Sequence, residues 1–263
     1  MINRKKPLNI GIVSDNKTVR NFKNITSKFG NIILPISSDI LAEDNELSDS
    51  IWKNLDGIIL PGGKSVTETR KYYDSPRDPQ YLDYIRDFNW EIIILKSIKK
   101  QIPMLTTCRG TLVLNVALGG TLKGRGDIYK KHSKYYSRKE IVTDDEKRIF
   151  KQGRYKNFHN VKILKNTKLS EILFGEDNKK DHIIKTNSNH TYAIDKVNEL
   201  FEVSAISTED GIIEGIEPKN KELPIISVQW HPEIMFSLTN GKSSFKLFNN
   251  FFKLSSEYQK RKE

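Results

Sequence analysis

The sequence predicts an α/β fold in which a mostly parallel central sheet carries helices on both faces. Short apolar runs alternate with segments of helical periodicity along the chain. Two of the runs, 56–60 and 102–107, continue directly into glycine-containing turns, as buried strands often do. At 263 residues with 37% hydrophobic residues, the chain can bury one sizeable core, and no linker-like tract divides it. We therefore expect one domain over residues 1–263, with a small antiparallel or hairpin-like insertion.

Each element follows from a local pattern. Apolar runs predict strands at residues 8–14, 32–36, 56–60, 102–107, 161–164, 183–184, 201–206, 212–216 and 224–230. Apolar residues at three- and four-residue spacing predict helices at residues 16–29, 41–55, 81–98, 109–118, 170–174 and 243–258. The strands on either side of the turn at 209–211 are expected to be adjacent.

The helix at 81–98 has an apolar stripe that we expect to pack on the sheet, formed by Tyr81, Tyr84, Ile85, Phe88, Ile92, Leu95 and Ile98. Arg86 and Asp87 lie off this stripe. We expect them to have a structural role and to tether the helix near the functional site.

The only cysteine in the chain, Cys108, lies where a predicted strand meets a predicted helix. Gly110 follows two residues later and permits a sharp turn, and the helix ends at Gly119 and Gly120. The N–H groups and the dipole at a helix start stabilise the nucleophilic thiolate form of a cysteine. Cys108 is therefore a candidate nucleophile, although a lone cysteine is more often a small buried apolar residue.

A nucleophilic thiol needs a base, and the base needs a group that orients it. A late apolar strand leads into His231 and Glu233, and residues two apart in an extended segment project to the same side. Glu233 can then hold the imidazole of His231. The strand at 56–60 leads into Gly62 and Gly63, whose backbone N–H groups can approach an oxyanion. Such groups gather beyond the carboxyl ends of parallel strands, which predicts one shared site.

Three motifs in this order and strand context resemble the class I glutamine amidotransferase-like superfamily: Pro-Gly-Gly at 61–63, Thr-Cys-Arg-Gly at 107–110 and Gln-Trp-His-Pro-Glu at 229–233. The Cys-Arg-Gly turn is similar to that of the gamma-glutamyl hydrolase branch, which includes gamma-glutamyl-gamma-aminobutyrate hydrolases. The Arg86-Asp87 pair and the segment from Asn187 to His190 also resemble this branch. The resemblance runs from about Leu8 to Phe252 and implies a flavodoxin-like three-layer sandwich.

The resemblance also implies an activity, namely hydrolysis of a gamma-glutamyl amide bond through a thioester on the cysteine. The catalytic residues would be Cys108, His231 and Glu233. The oxyanion and the substrate would be bound by Gly62, Gly63, Arg109 and His190, with the backbone N–H groups of Gly63 and Arg109 holding the oxyanion.

Two positions depart from the family pattern. Leu112 stands four residues after the nucleophile, where the superfamily often has Gln, and Tyr192 stands where a Gln usually follows the pocket histidine. The loss of two amides removes hydrogen bonds that would recognise a glutamyl group. We expect a substrate other than free glutamine or the small gamma-glutamyl amines, such as a polyglutamylated molecule or a modified protein side chain.

The segment from residue 123 to residue 165 is strongly basic, with 14 Lys or Arg against five Asp or Glu and several aromatic residues between them. We expect a basic insertion at about 123–158. Such a segment can attract an acidic substrate, an acidic protein partner, an anionic membrane surface or nucleic acid. A solvated surface without any ligand is an equal alternative.

Other features narrow the range of functions. The chain lacks a secretory signal and an apolar segment as long as a membrane span, so we expect an intracellular, cytoplasmic protein. His132, His159 and His182 lack ligand-like spacing, and neither a metal site nor a cofactor is predicted. The sequence leaves open whether the protein forms a homo-oligomer. It also leaves open two other functions: a glutaminase subunit that supplies ammonia to a synthetase, and a binding or regulatory protein that uses the basic insertion.

Overall fold

The computed structural model describes residues 6–14, 16–63, 84–124, 132, 157–238 and 241–262. The basic insertion therefore lies almost wholly outside the described residues, as do Tyr81 and the side chains of Tyr84 and Ile85. Among the described residues, no helix combines the length and the apolar character that crossing a membrane would require.

The strands are β1 (Asn9–Val13), β2 (Ile32–Ile36), β3 (Gly57–Leu60), β4 (Met104–Thr107), β5 (Leu122–Gly124), β6 (Asn157–Ile163), β7 (His182–Ser188), β8 (Tyr192–Ile194), β9 (Phe201–Ser207), β10 (Ile213–Pro218) and β11 (Ile225–Val228). The α-helices are α1 (Asn16–Lys28), α2 (Ser38–Ala42), α3 (Glu46–Asn54), α4 (Tyr84–Lys99), α5 (Arg109–Ala117), α6 (Lys168–Phe174), α7 (Pro232–Leu238) and α8 (Lys242–Lys262).

The strands of the described residues join one sheet in the order β2-β1-β3-β4-β11-β10-β9-β6-β7, with β5 and β8 paired to one side. The first five strands in this order are parallel. The last four are antiparallel to their neighbours, beginning with the β10–β11 pair. The predicted mostly parallel α/β sheet is confirmed, and the predicted adjacency of the strands around residues 209–211 is also confirmed.

Helices cover both faces of the sheet, and strand β3 shows how. Ile58 and Leu60 point into a core cluster shared with α3, α4 and α5, whereas Ile59 points into a second cluster with α1, α6 and α8. Successive side chains of a strand face opposite sides, so a continuous apolar run serves two cores at once.

Two predictions about helices need correction. The segment predicted as one helix at 41–55 forms two, because Asn45 starts a new helix by accepting a hydrogen bond from the Ser48 N–H at 2.8 Å. The predicted stripe of α4 is wrong at two positions, since Phe88 is 63% exposed and Leu95 is 51% exposed. Ile92 and Ile98 pack against the core as predicted.

The buried face of α4 runs through Asp87, Trp90, Ile93, Ile94 and Ser97. Because this face begins with Asp87 and ends with Ser97, the spacing of apolar residues alone does not reveal it. The Ser97 hydroxyl is satisfied locally by donating to the Ile93 carbonyl at 2.7 Å, and Asp87 has a buried cationic partner described below.

The orientation of α4 can be tested with two adjacent aliphatic residues. Ile94→Ala removes a side chain with no exposed surface and should lower the free energy of unfolding by about 2–5 kcal/mol. Leu95→Ala is the matched control and should change it by less than about 1 kcal/mol, as at other surface positions. Denaturant unfolding monitored by circular dichroism measures both values, and equal losses would contradict this orientation.

Candidate active site

Cys108 lies at a sharp bend between β4 and α5. Its backbone has φ 49° and ψ −108°, a conformation that is strained for a residue with a side chain. Gly110 makes the bend possible because it has no side chain, which allows the first turn of α5 to lie close to β3. A methyl group placed on Gly110 would lie 2.1 Å from the Leu60 carbonyl oxygen. The Cys108 N–H donates to the Val228 carbonyl at 3.0 Å. The nucleophile candidate is therefore fixed at the carboxyl end of the parallel strands, as predicted.

Gly62 brings the cysteine and the histidine to one place. A methyl group on Gly62 would lie 2.4 Å from Cε1 of His231 and 3.3 Å from Cβ of Cys108. The imidazole and the cysteine therefore flank the same point of the backbone after β3, and only glycine leaves room there for both.

His231 and Glu233 form the expected pair, since Nδ1 of His231 lies 2.7 Å from Oε1 of Glu233 and both side chains are buried. A carboxylate only accepts, so Nδ1 carries the proton and Nε2 is the nitrogen that can accept one. The route to this geometry differs from the prediction. Strand β11 ends at Val228, and Glu233 lies in the first turn of α7 instead of continuing the strand.

Asn187 holds the backbone of the histidine. Its Oδ1 accepts from the His231 N–H at 3.0 Å, and its Nδ2 donates to the His231 carbonyl at 3.3 Å. Two residues later, the Asn189 carbonyl lies 3.8 Å from Sγ of Cys108, where it can accept from the thiol. The end of β7 and the residue that follows it thus contact both the base candidate and the nucleophile candidate.

The side chain of Arg109 turns away from the cysteine into the core. It is almost fully buried, forms an ion pair with Asp87 of α4, and places its guanidinium carbon 4.1 Å from the centroid of the Trp90 ring. Gly63 lies against the same side chain, since a methyl group on it would be 3.3 Å from Cδ of Arg109. Any contribution of Arg109 to an oxyanion site must come from its backbone, and the oxyanion roles of Gly63 and Arg109 stay predictions.

His190 lies beside the site, and its ring points into a buried cluster with His132, His159 and Glu214. Nδ1 of His190 donates to the Tyr192 carbonyl at 2.8 Å, and Nε2 lies 3.4 Å from Oε1 of Glu214. The predicted substrate contact of His190 stays a prediction.

Burial is the largest influence on two imidazoles of the cluster, and it lowers the pKa of His132 and of His159 below the usual histidine value. Burial alone would raise the pKa of Glu214, but the proximity of the three imidazoles holds it below its usual range. Burial therefore disfavours charge on His132 and His159, whereas the nearby imidazoles favour the ionised form of Glu214.

Sequence spacing did not reveal this cluster, because its members come from separate segments of the chain. His182 lies elsewhere, stacked on Phe174. Among the described residues, His132, His159 and Glu214 form a group whose ligand atoms lie within 4.8 Å of one another. The one available signal was Glu214 itself, a carboxylate inside the apolar run at 212–216.

Comparisons with known proteins identify the family and the fold of the chain. Residues 5–233 match the Peptidase C26 family. The "Putative glutamine amidotransferase PB2B2.05" of Schizosaccharomyces pombe is 35% identical over 221 residues, which cover 81% of this chain and 75% of that protein. The gamma-glutamyl-gamma-aminobutyrate hydrolase PuuD of Escherichia coli is 28% identical over 201 residues, which cover 76% of this chain and 72% of that protein.

The same fold occurs in a crystal structure of a glutamine amidotransferase from Thermotoga maritima, with a TM-score of 0.60 and 12% identity, covering 96% of this chain and 99% of that one. At this level of identity the likeness concerns the fold alone.

The ion pair between Arg109 and Asp87 should be important for stability. Asp87→Ala leaves a buried guanidinium without its carboxylate and should lower the free energy of unfolding by about 3–5 kcal/mol. Asp44→Ala, which breaks the exposed pair with Lys96, is the control and should have a much smaller effect. Chemical denaturation measures both, and a small loss for Asp87→Ala would show that the buried pair does not support the elbow.

Proposed function

This chain belongs to the Peptidase C26 family, and from that premise we propose that it is a cysteine hydrolase that cleaves a gamma-glutamyl amide bond. The observation that carries the proposal is the buried hydrogen bond between Glu233 and His231 beside a cysteine held in a strained bend. A cysteine that only fills space needs neither an oriented imidazole nor an unfavourable backbone conformation.

The reaction would proceed in two halves. In the first, His231 takes the thiol proton, and Sγ of Cys108 attacks the amide carbonyl carbon to give a tetrahedral oxyanion. The oxyanion collapses, the C–N bond breaks, and His231 returns the proton to the leaving amine. In the second half, His231 takes a proton from water, the hydroxide attacks the thioester, and the C–S bond breaks to release the acid and regenerate the cysteine. Glu233 holds the imidazole in one tautomer and stabilises the imidazolium in both halves.

The oxyanion would be held by backbone N–H groups at Gly63 and Arg109. Two features support this placement. Gly63 lies three residues after the end of β3, and Arg109 lies two residues after the end of the neighbouring parallel strand β4. Arg109 also begins α5, and the first N–H groups of a helix lack partners within the helix.

The substrate of this hydrolase would differ from free glutamine. Leu112 is buried on α5 one turn after Cys108, so an apolar side chain occupies the position where an amide is frequent in the superfamily. Tyr192 offers its backbone carbonyl to His190. We therefore favour a longer acidic substrate, such as a polyglutamyl chain, which the basic segment at 123–158 would attract through its charge.

Removing the catalytic groups tests the proposed reaction. Cys108→Ala and His231→Ala should reduce hydrolysis of gamma-glutamyl amides to background, while Glu233→Gln should lower kcat by about 10²- to 10⁴-fold with little change in KM, because the tautomer is no longer fixed. His182→Gln is the control and should retain activity.

The first measurement is intact-protein mass spectrometry after treatment with a glutamine-like chloroketone, which should add once to Cys108 and fail to add to His231→Ala. Circular dichroism confirms that the variants fold. Full turnover in Cys108→Ala would contradict the proposal.

A substitution at Leu112 tests the substrate assignment. Leu112→Gln should raise kcat/KM for free glutamine, relative to a di-gamma-glutamyl compound, by at least about tenfold, because an added amide can hydrogen-bond the glutamyl group. Leu112→Met keeps the volume without adding an amide and is the matched control. If both variants change the ratio equally, residue 112 does not select the substrate through an amide.

A further inference from the structure

Apart from the predicted substrate contact of His190, the buried cluster of His132, His159, His190 and Glu214 has no part in the chemistry described above. Glu214 lies on β10 and His159 on β6, while His190 follows β7. All four side chains are buried. The ring centroid of His132 lies 4.9 Å from that of His159 and 4.6 Å from that of His190. Four ionisable groups that meet in the interior need a physical reason for their proximity.

The contacts converge on one atom, Oε1 of Glu214. It lies 3.5 Å from Nδ1 of His132, 3.6 Å from Nε2 of His159 and 3.4 Å from Nε2 of His190. These distances are long for hydrogen bonds. Within the described residues, both oxygens of Glu214 and Nε2 of His159 and His190 are buried without a hydrogen-bond partner.

In His190 and His132, the ring nitrogen that points away from Glu214 has a hydrogen-bond acceptor. This contact shows which nitrogen carries the proton and which one presents a lone pair to Glu214. Nδ1 of His190 lies 2.8 Å from the Tyr192 carbonyl, which only accepts, so Nδ1 carries the proton and Nε2 presents a lone pair. Nε2 of His132 lies 3.0 Å from Oδ2 of Asp210, so Nε2 carries the proton and Nδ1 presents a lone pair.

Among the described residues, Ser188 offers Nδ1 of His132 another partner. Its Oγ lies 3.1 Å from Nδ1 of His132 and 3.1 Å from the His132 carbonyl. A hydroxyl has one proton, so donation to the carbonyl leaves Nδ1 directed at Glu214. Lone pairs of imidazole nitrogens repel the oxygens of a carboxylate unless a proton or a metal cation lies between them.

We propose that His132, His159 and Glu214 bind a divalent transition-metal ion, best matched by Zn²⁺, with His190 as the fourth ligand. Ligand atoms of the first three residues lie within 4.8 Å of one another. Tetrahedral zinc with N and O ligands near 2.0–2.1 Å places its ligand atoms about 3.3–3.4 Å apart, close to the distances around Oε1.

The surroundings of the histidines match those of metal ligands. A metal-bound histidine usually donates its second ring N–H to a carboxylate or a backbone carbonyl, which fixes the ring and the tautomer. His132 has this contact with Asp210, and His190 has it with Tyr192.

The metal would fix the segment that runs past the catalytic residues. Ser188 and His190 contact the cluster, whereas Asn187 bonds the His231 backbone and the Asn189 carbonyl faces Cys108. The role we assign to the ion is therefore to position the segment 187–190, not to act on the substrate.

The test uses the full chain, stripped with a chelator and then reloaded with Zn²⁺. Calorimetric titration and elemental analysis should give one equivalent of zinc. Glu214→Gln and His159→Gln should each weaken the affinity by at least about 100-fold, and Asp210→Asn, which removes an orienting group, by about 10- to 100-fold. His182→Gln is the matched histidine control and should bind as the wild type does.

A second set of variants separates this site from the catalytic thiol, which could itself bind zinc. Cys108→Ser should retain the full equivalent, and Co²⁺ bound to the wild type should lack a thiolate charge-transfer band. Zinc should also raise the thermal midpoint of Cys108→Ser, since a ligand of the folded state stabilises it. This measurement stands even where a cluster variant fails to fold.

Two results would overturn the proposal. If stripped Cys108→Ser takes up no zinc and shows no thermal shift, the cluster is held together by a shared proton. If Glu214→Gln and His159→Gln fold and bind as tightly as the wild type, the ion lies elsewhere. Neither result bears on hydrolysis by Cys108, so this proposal can fail while the proposed function stands.

Discussion

The strained backbone of Cys108 is the constraint on which the site depends. A side chain at φ 49° costs about 1–3 kcal/mol and persists only where the surroundings enforce it. Here β4 is paired with β3 on one side and β11 on the other, and the Cys108 N–H is bonded to Val228. Gly110 then lets α5 lie against the Leu60 carbonyl. The three strands that fix the bend also lead into Gly62 and His231, so the same pairing that enforces the strain assembles the site.

A buried charge connects this bend to α4. Arg109 comes directly after the cysteine, and the start of α5 directs its side chain into the core, where a guanidinium is tolerated only with a carboxylate and a suitable surface. Asp87 supplies the charge and Trp90 the aromatic face. This explains why α4 turns a carboxylate toward the sheet and leaves Phe88 in solvent. The contacts of Arg109 with Asp87 and Trp90 thus help to fix the orientation of α4, together with the burial of its apolar residues on the same face.

The sequence predicted the features that depend on short segments. Apolar runs before Gly62, Cys108 and His231 predicted three strands. Because these strands are parallel, their carboxyl ends meet at one edge of the sheet, where the candidate site lies. The paired His231 and Glu233 were predicted, but not the start of α7 between them, because Pro232 is compatible with an extended segment as well as with the first turn of a helix. The face of α4 and the histidine cluster could not be predicted, since each depends on a partner distant in sequence.

The residues from Asn187 to His190, at the end of β7 and just after it, contact both His231 and the histidine cluster, so the two groups of polar side chains depend on each other. The register of β7 with β6 pairs Thr186 with His159 and Asn187 with Phe158. This pairing fixes which side chains at the end of β7 face each side of the sheet. Successive side chains then alternate: Asn187 turns to His231, while Ser188 and His190 turn to the cluster. A shift of one residue would exchange the two faces and disrupt both. The contacts that hold the cluster together therefore also hold Asn187 against His231, which gives these buried polar groups a structural role.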